Sequence, residues 1–145
     1  MSFYLPDSYG LLPPWLFMVS IVSAANSFQA YITTKFTARV YSPEAVNPLS
    51  SRTFGTWTLL SSIIRMYAAY NISDPLVYHL TLWTFVLALA HFLSEWLLFG
   101  TATMGRGLIG PMCVASGSLV WMLVQWEFYS MGGWTIRPAE DIGLE

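Results

Sequence analysis

The sequence predicts an all-α integral membrane protein built as a bundle of four transmembrane helices. Four segments of low charge are each long enough to cross a bilayer core of about 30 Å as a helix of about 20 residues. Only 10% of the 145 residues are charged, against about 25% in ordinary soluble proteins, so the chain lacks the polar surface that a water-soluble core needs. The predicted spans are residues 14–33, 54–72, 77–99 and 108–128.

Turn-forming residues separate the four spans. Pro13 and Pro14 mark the start of the first helix, where the missing backbone donor of proline costs little. The connector 35–51 contains two further prolines, which favour a non-helical path. A tight turn at Asp74 follows the second span, and the glycine-rich segment 100–107 reverses the chain before the fourth. The spans, connectors and tail therefore form a single membrane domain.

The distribution of basic residues predicts the orientation. Four spans place both chain termini and the Asp74 turn on one side of the membrane and the two longer connectors on the other. The tail side, which includes the polar tail 130–145, has only Arg137. The excess on the other side predicts cytoplasmic connectors and lumenal tails by the positive-inside rule. The basic residues of the connector side are Lys35, Arg39, Arg52 and Arg106.

Charge and cysteine content exclude several function classes. The net charge is −2 and no basic run occurs, so nucleic acid is not expected as a partner. The single cysteine, Cys113, excludes an intramolecular disulfide, and its place in the fourth span predicts a small buried hydrophobe. Two scattered histidines cannot supply the ligand set of a di-iron oxidase. We therefore expect no metal and no cofactor.

One segment imitates a nucleotide-binding motif. Gly105 to Gly110 has the spacing G-x-G-x-x-G. A dinucleotide-binding site needs a strand before this motif and an acidic residue for the ribose after it. Here the segment follows a predicted membrane helix and leads into Pro111, so we interpret it as a loop.

Polar side chains inside the predicted spans are candidates for function, because an unpaired polar group in hydrocarbon is costly. His91 and Glu95 are four residues apart and share a helix face. They could form a metal-ligand or acid/base pair, but we favour a polar clasp that fixes helix packing. At about 1.5 Å per residue, Asn26 and Gln29 lie at similar depths and are predicted to meet them.

Arg65 lies deeper than this first polar layer. Its depth of about 19 Å from the predicted cytoplasmic face separates it from Glu95 by about 12 Å. Its long side chain is therefore predicted to reach Gln125 or Glu127 on the fourth helix. Two interpretations are open: a structural role, or a contact for a lipid or for a polar group of a partner.

The first helix carries a stripe of small residues on one face. Small side chains allow two membrane helices to approach closely. The stripe therefore predicts packing within the bundle, and an interface with another membrane protein is the alternative. Its residues are Ser20, Ser23, Ala24, Ser27 and Ala30.

Several segments between about Pro14 and Tyr129 resemble the ergosterol biosynthetic protein 28 family. The most specific is Arg52–Trp57, which reads Arg-Thr-Phe-Gly-Thr-Trp. The other segments are Asn26–Tyr31, Ile64–Tyr67, His91–Glu95, Gly105–Gly110 and Ser118–Met122.

The resemblance implies a non-catalytic scaffold of the endoplasmic reticulum membrane. Its implied partners are the enzymes of sterol C-4 demethylation: a C-4 methylsterol oxidase, a 3β-hydroxysteroid dehydrogenase/decarboxylase and a 3-keto sterol reductase. In fungi the family is also linked to a sterol C-24 methyltransferase. The family supplies no catalytic residue to transfer. A membrane lipid or sterol, and a second copy of the chain, remain open as partners.

The residues themselves leave a second function open. An intramembrane enzyme, or a sterol-binding or transfer protein, could use Arg65, His91 and Glu95 around a lipid cavity. For the scaffold, Arg52 and Trp57 are candidate docking residues at the cytoplasmic edge, because arginine and tryptophan often dominate interface energies. The alternative for Trp57 is a membrane-interface anchor.

Overall fold

The computed structural model describes Pro6 and residues 10–130. In this part of the chain the regular structure is helical, with one isolated antiparallel β-bridge between Tyr41 and Ala102. Two short 3₁₀ helices, Thr37–Arg39 and Pro43–Ala45, lie in the first connector. The α-helices are α1 Leu12–Ile32, α2 Pro48–Tyr70, α3 Pro75–Leu97, α4 Arg106–Val124 and α5 Trp126–Ser130.

Each predicted span corresponds to a long helix, and three of the helices are long and apolar enough to cross a membrane. These are α1, α3 and α4. The all-helical fold is thus confirmed for the described residues, and three of the four predicted spans have the length and hydropathy that a membrane span needs. α2 has the required length, 23 residues, but a more polar composition. The tail beyond Ser130, including Arg137, lies outside the described residues.

Capping side chains fix the starts of α2 and α3. Asn47 and Ser50 form a reciprocal capping box, each side chain accepting the backbone N–H of the other at 2.9 Å. The Asp74 carboxylate accepts the N–H of Leu76, also at 2.9 Å. Proline follows both caps, at the position where it suits a helix. The capping box makes α2 begin six residues before the predicted span.

Hydrogen bonds between helix ends establish which ends of the bundle meet. Near the start of α1, Trp15 donates from Nε1 to Ser118 Oγ of α4 at 2.9 Å. Near the start of α3, the Tyr78 hydroxyl donates to the Met122 carbonyl at 2.6 Å. At the opposite end the two longer connectors pair, since the Ser42 N–H donates to the Thr101 carbonyl at 2.7 Å. The predicted up-and-down arrangement of the ends is confirmed, and the side of the membrane on which each lies stays a prediction.

Small residues join α1 to α2 without a gap. Ser20 Oγ donates to the Ser62 carbonyl at 2.7 Å, and Ser62 Oγ donates to the Ser20 carbonyl at 2.8 Å. Further along the pair, a Cβ on Gly55 would lie 2.8 Å from the Tyr31 ring and 3.0 Å from the Ser27 carbonyl oxygen. The stripe of small residues on α1 therefore packs within the bundle, as predicted.

The G-x-G-x-x-G segment is helical, so its interpretation as a loop was wrong. Gly105 is the N-cap, and the following five residues form the first turns of α4. Packing explains the glycine at position 107, because a Cβ there would lie 2.3 Å from the Arg39 carbonyl oxygen. Only glycine lets the first connector lie this close to α4.

The prediction for Cys113 was also wrong. Its side chain is exposed on α4 and is a free thiol. The hydropathy of a span indicates that a residue lies in the apolar layer, but not whether it faces another helix or the surroundings.

Candidate functional site

The four long helices enclose a cavity of about 350 Å³, which we call the bundle cavity. Its wall is mostly apolar, with Phe85, Ala88 and Phe92 of α3 facing Val19 of α1 and Ala115 of α4. Within residues 10–130, no acidic residue lines this cavity. The lining side chains that carry a polar group are Trp15, Ser23, Asn26, Trp57, Thr58, Ser61 and Arg65.

Arg65 is the charged group of this cavity and is only 6% exposed. Its guanidinium donates from Nε to Thr84 Oγ1 at 3.0 Å and from a terminal nitrogen to the Thr84 carbonyl at 3.4 Å. The other terminal nitrogen donates to Ser23 Oγ at 3.3 Å. The guanidinium carbon also lies 4.1 Å from the centre of the Phe85 ring, in a cation–π contact. Arg65 of α2 therefore joins α1 to α3.

This geometry contradicts the predicted contact of Arg65 with α4. Gln125 ends α4, and its side-chain oxygen accepts a hydrogen bond from Trp121 Nε1 at 2.5 Å. Glu127 is exposed on α5. The depth argument placed Arg65 along the helix axis but gave no rotation about it, and rotation decides which neighbouring helix the side chain meets.

The second polar site is a groove of about 440 Å³ beside the connectors, which we call the connector groove. Here His91 Nε2 lies 2.6 Å from the hydroxyl of Tyr41 in the first connector. Glu95 accepts a hydrogen bond from the hydroxyl of Thr101 in the second connector. His91 and Glu95 do form a clasp, but it holds the connectors onto α3.

Tyr41 stays protonated in this groove. Burial raises the pKa of the Tyr41 phenol, and the nearby negative charge of Glu95 raises this pKa further. A phenol that keeps its proton can donate to a neutral His91, whose ring nitrogen then accepts. The hydrogen bond between Tyr41 and His91 can therefore form between two neutral side chains.

The predicted meeting of Asn26 and Gln29 with His91 and Glu95 was therefore wrong. Gln29 is exposed near the end of α1. Asn26 lines the bundle cavity, whereas His91 and Glu95 line the connector groove. The first connector folds back onto α3, so it takes the polar contacts that the sequence assigned to α1.

Trp57 lies between the two sites, since its side chain lines both the bundle cavity and the connector groove. Its ring centre lies 5.2 Å from that of Phe54 and 5.5 Å from that of His91. Trp57 is thus half-buried in an aromatic cluster between α2 and α3, while Arg52 is exposed at the start of α2. The two proposed docking residues lie in different environments.

The partners of these polar groups were missed by the sequence reasoning. Ser23 was assigned only to packing, and Thr84, Tyr41 and Thr101 were not singled out. A signal existed for Thr84, since Thr81 lies three residues earlier and the two hydroxyl side chains share a face of the predicted helix. No comparable signal marked the two connector residues.

The bundle cavity has groups that could bind a ligand, and the connector groove has groups that hold the connectors onto α3. The bundle cavity has an apolar wall and one cationic group, the guanidinium of Arg65. In the connector groove, hydrogen bonds join residues that line the groove to one another. In residues 10–130 no three His, Cys, Asp or Glu side chains come together in a group that could hold a metal ion.

Comparison with known proteins identifies the family. The family described as Erg28 like protein matches residues 12–120, which include α1 to α3 and most of α4. The chain is 54% identical to ergosterol biosynthetic protein 28 of Candida albicans over 83% of this chain and 88% of that protein. The chain belongs to this family. The expected resemblance is thereby confirmed.

The family reaches beyond fungi. The chain is 44% identical to ergosterol biosynthetic protein 28 of Saccharomyces cerevisiae, over 86% of each chain. It is 48% identical to the human ergosterol biosynthetic protein 28 homolog, over 79% of this chain and 84% of that protein. No solved structure matches the chain. All residues that line the bundle cavity and the connector groove lie inside the matched region.

Proposed function

We propose that this protein is a non-catalytic scaffold that tethers the sterol C-4 demethylation enzymes in the endoplasmic reticulum membrane. The observation that carries the proposal is its similarity, over most of its length, to proteins named for ergosterol biosynthesis. The proposed partners are the C-4 methylsterol oxidase, the 3β-hydroxysteroid dehydrogenase/decarboxylase and the 3-keto sterol reductase. In fungi the sterol C-24 methyltransferase is a further proposed partner.

The contacts of the ionisable side chains support a non-catalytic role. His91 and Glu95 hold the two connectors, and Arg65 holds three helices together. These three residues also lie in two separate sites, so they do not form the single intramembrane active site that the sequence left open. Tethering itself gives a physical benefit, because enzymes held together encounter each other's products at a raised effective concentration.

The proposal includes α2 as a fourth membrane span. The polar residues Ser61, Ser62 and Arg65 are buried inside the bundle. The opposite face of the same stretch exposes Leu60 and Ile63, which are 59% and 47% exposed. The low mean hydropathy of α2 thus comes from its inner face, and its outer face suits lipid. With four spans, basic connectors favour the cytoplasmic side and the tails the lumen.

Docking of the enzymes is assigned to the cytoplasmic side. Arg52 is exposed at the first turn of α2, close to the connectors. An exposed arginine can make bidentate contacts with carboxylates of a partner. Trp57 contributes by supporting the aromatic cluster behind this edge.

Co-purification together with sterol analysis tests the scaffold. The full chain, tagged, is expressed in cells that lack their own family member, and 4-methylsterols are measured alongside the enzymes recovered with the protein. We expect the enzymes to co-purify, and we expect His91→Gln, Glu95→Gln and Arg65→Gln, at matched protein levels, to keep part of the sterol flux. Arg52→Ala should weaken enzyme recovery, with exposed Lys35→Ala as the matched control.

Two results would contradict the proposal. One is a variant that loses all sterol flux although its abundance and its enzyme association are normal, because that is the behaviour of a catalytic residue. The other is failure of the tagged wild-type chain to recover any of the enzymes while it restores the flux.

A further inference from the structure

Among the residues that the structure describes, no negative charge balances the buried guanidinium of Arg65. Its three hydrogen-bond acceptors are neutral: the hydroxyl of Ser23 and the hydroxyl and carbonyl of Thr84. No acidic residue of the described chain lines the bundle cavity. A buried charge is costly unless it is paired, so this position favours an anionic group from outside the chain.

The guanidinium also has N–H donors beyond those that bind Ser23 and Thr84. Arginine carries five N–H groups, and three of them make the bonds to Ser23 and Thr84. Among the residues that the structure describes, the other two have no acceptor. Asn26 lines the same cavity, and its side-chain amide has no hydrogen-bond partner among those residues. The two remaining N–H groups of Arg65 can donate to the oxygen atoms of a carboxylate, an anion that arginine binds well.

The size and wall of the bundle cavity define the rest of the ligand. A volume of about 350 Å³ lies within the range of small-molecule sites. Phe85, Ala88 and Phe92 give the wall an apolar surface. The ligand therefore has one compact apolar body and one charged end.

The cavity has a side entrance between α1 and α4. Met18 and Val22 of α1 line it and are 48% and 52% exposed. Across from them Gly110 of α4 also lines the cavity and is exposed, with no atom within 4 Å of the position of a Cβ. The rim is apolar, so a ligand enters from the lipid phase with its apolar body in contact with lipid-facing residues.

We propose that the bundle cavity binds a compact lipid acid, with its carboxylate at Arg65 and its apolar body among the α3 aromatic rings. Sterol acids and fatty acids share this chemistry. The proposal adds a ligand site to the scaffold and does not depend on it, because it rests on the cavity and on Arg65 alone.

Photo-crosslinking with matched probes tests the site. The purified full chain, in phosphatidylcholine nanodiscs, is exposed to a diazirine-bearing sterol carboxylic acid or to its methyl ester. A second pair of probes is a diazirine fatty acid and its methyl ester. We expect at least one acid to label the protein about tenfold more strongly than its ester, since a hydrogen bond to a charged group is worth that factor or more. The pair with the larger ratio identifies the apolar body.

Two variants separate the cavity from the protein surface. Gly110→Phe fills the entrance, where open space avoids a clash, and should reduce acid labelling several-fold. Gly117→Phe is the matched control, because Gly117 is exposed on the same helix, has the same open space and does not line the cavity. Arg65→Gln should remove the preference for the acid over the ester.

Equal labelling by acid and ester in both pairs would overturn the proposal. So would labelling that Gly110→Phe leaves unchanged, whether or not Arg65→Gln yields folded protein. Neither result affects the recovery of sterol enzymes, so failure of this site and failure of the scaffold are distinguishable.

Discussion

At the residue scale, Gly107 shows how a single missing methyl group positions a connector. The backbone of Arg39 lies against Gly107 at a distance that excludes any Cβ. The neighbouring hydrogen bond from the Thr103 N–H to the Val40 carbonyl, at 3.0 Å, holds the two connectors in this contact. The residue that resembled part of a nucleotide-binding motif is thus a packing glycine.

Gly107→Ala should therefore destabilise the protein by about 1–3 kcal/mol, the usual cost of overpacking. The expected readout is a fall of roughly 3–10 °C in the midpoint of heat-induced aggregation in detergent. Gly117→Ala is the control: nothing lies within 4 Å of its Cβ position, and alanine favours a helix by up to about 1 kcal/mol. If both variants melt alike, the close approach of the connector is not part of the stable fold.

At the element scale, α1 and α2 form the tightest pair of the bundle. The hydroxyl groups of Ser20 and Ser62 each donate to a backbone carbonyl of the other helix, so neither needs water. Because serine is small, the two helices can lie closer together than larger side chains would allow. The hydroxyl oxygens of Ser20 and Ser62 lie 3.4 Å apart. Since a disulfide needs two side chains that point at each other, cysteines at these two positions test the observed contact.

Oxidation of a Ser20→Cys, Ser62→Cys double variant should therefore link α1 to α2 within one chain. The exposed native thiol is removed by Cys113→Ser, so that no other cysteine competes. After cleavage between the helices, the linked form is read as an intact band on a non-reducing gel. Ile21→Cys with Ser62→Cys is the matched control and should not link, because Ile21 is half exposed on an outward face of α1. Equal linking of both pairs would contradict the observed rotation of α1.

The sequence predicted the elements well and their contacts poorly, for a physical reason. Hydropathy and turn residues locate a span along the chain, which is why residues 77–99 correspond to α3 within two residues at each end. Burial depth follows from the same counting. The rotation of each helix and the path of a connector cannot be obtained by counting residues. The path of the first connector brings Tyr41 to His91, and the rotation of α2 brings Arg65 to Thr84.

At the scale of the whole molecule, large apolar side chains cover the outside of the helices, and the interior holds both apolar and polar side chains. Large hydrophobic residues are exposed on all four long helices, for example Val22, Ile63, Leu87 and Val120. The buried polar residues include several serines and threonines and Arg65. A water-soluble bundle would expose a polar face on each helix, so these apolar outer faces point to membrane association.

If α2 crosses the membrane, the two ends of α2 lie on opposite sides. Single cysteines at Lys35→Cys in the first connector and Ser73→Cys in the α2–α3 turn, each with Cys113→Ser, report these ends from exposed positions. In sealed microsomes a membrane-impermeant maleimide should label position 35 directly and position 73 only after permeabilisation. Labelling of both from the same side would remove α2 from the set of spans, and the reverse pattern would invert the orientation.

The placement of Arg65 has a consequence for how the chain is made. An arginine in a membrane helix opposes insertion, by about 2.5–3.5 kcal/mol when it is at the helix centre. Arg65 lies five residues before the end of α2, so part of this cost applies and α2 is a poor candidate to leave the translocon alone. Ser23 and the serine face of α1 are synthesised first and can cover this side chain at once, whereas Thr84 emerges only with α3. If α2 crosses the membrane, we therefore expect α1 and α2 to enter the bilayer together as a helical hairpin, before α3 adds the Thr84 contacts.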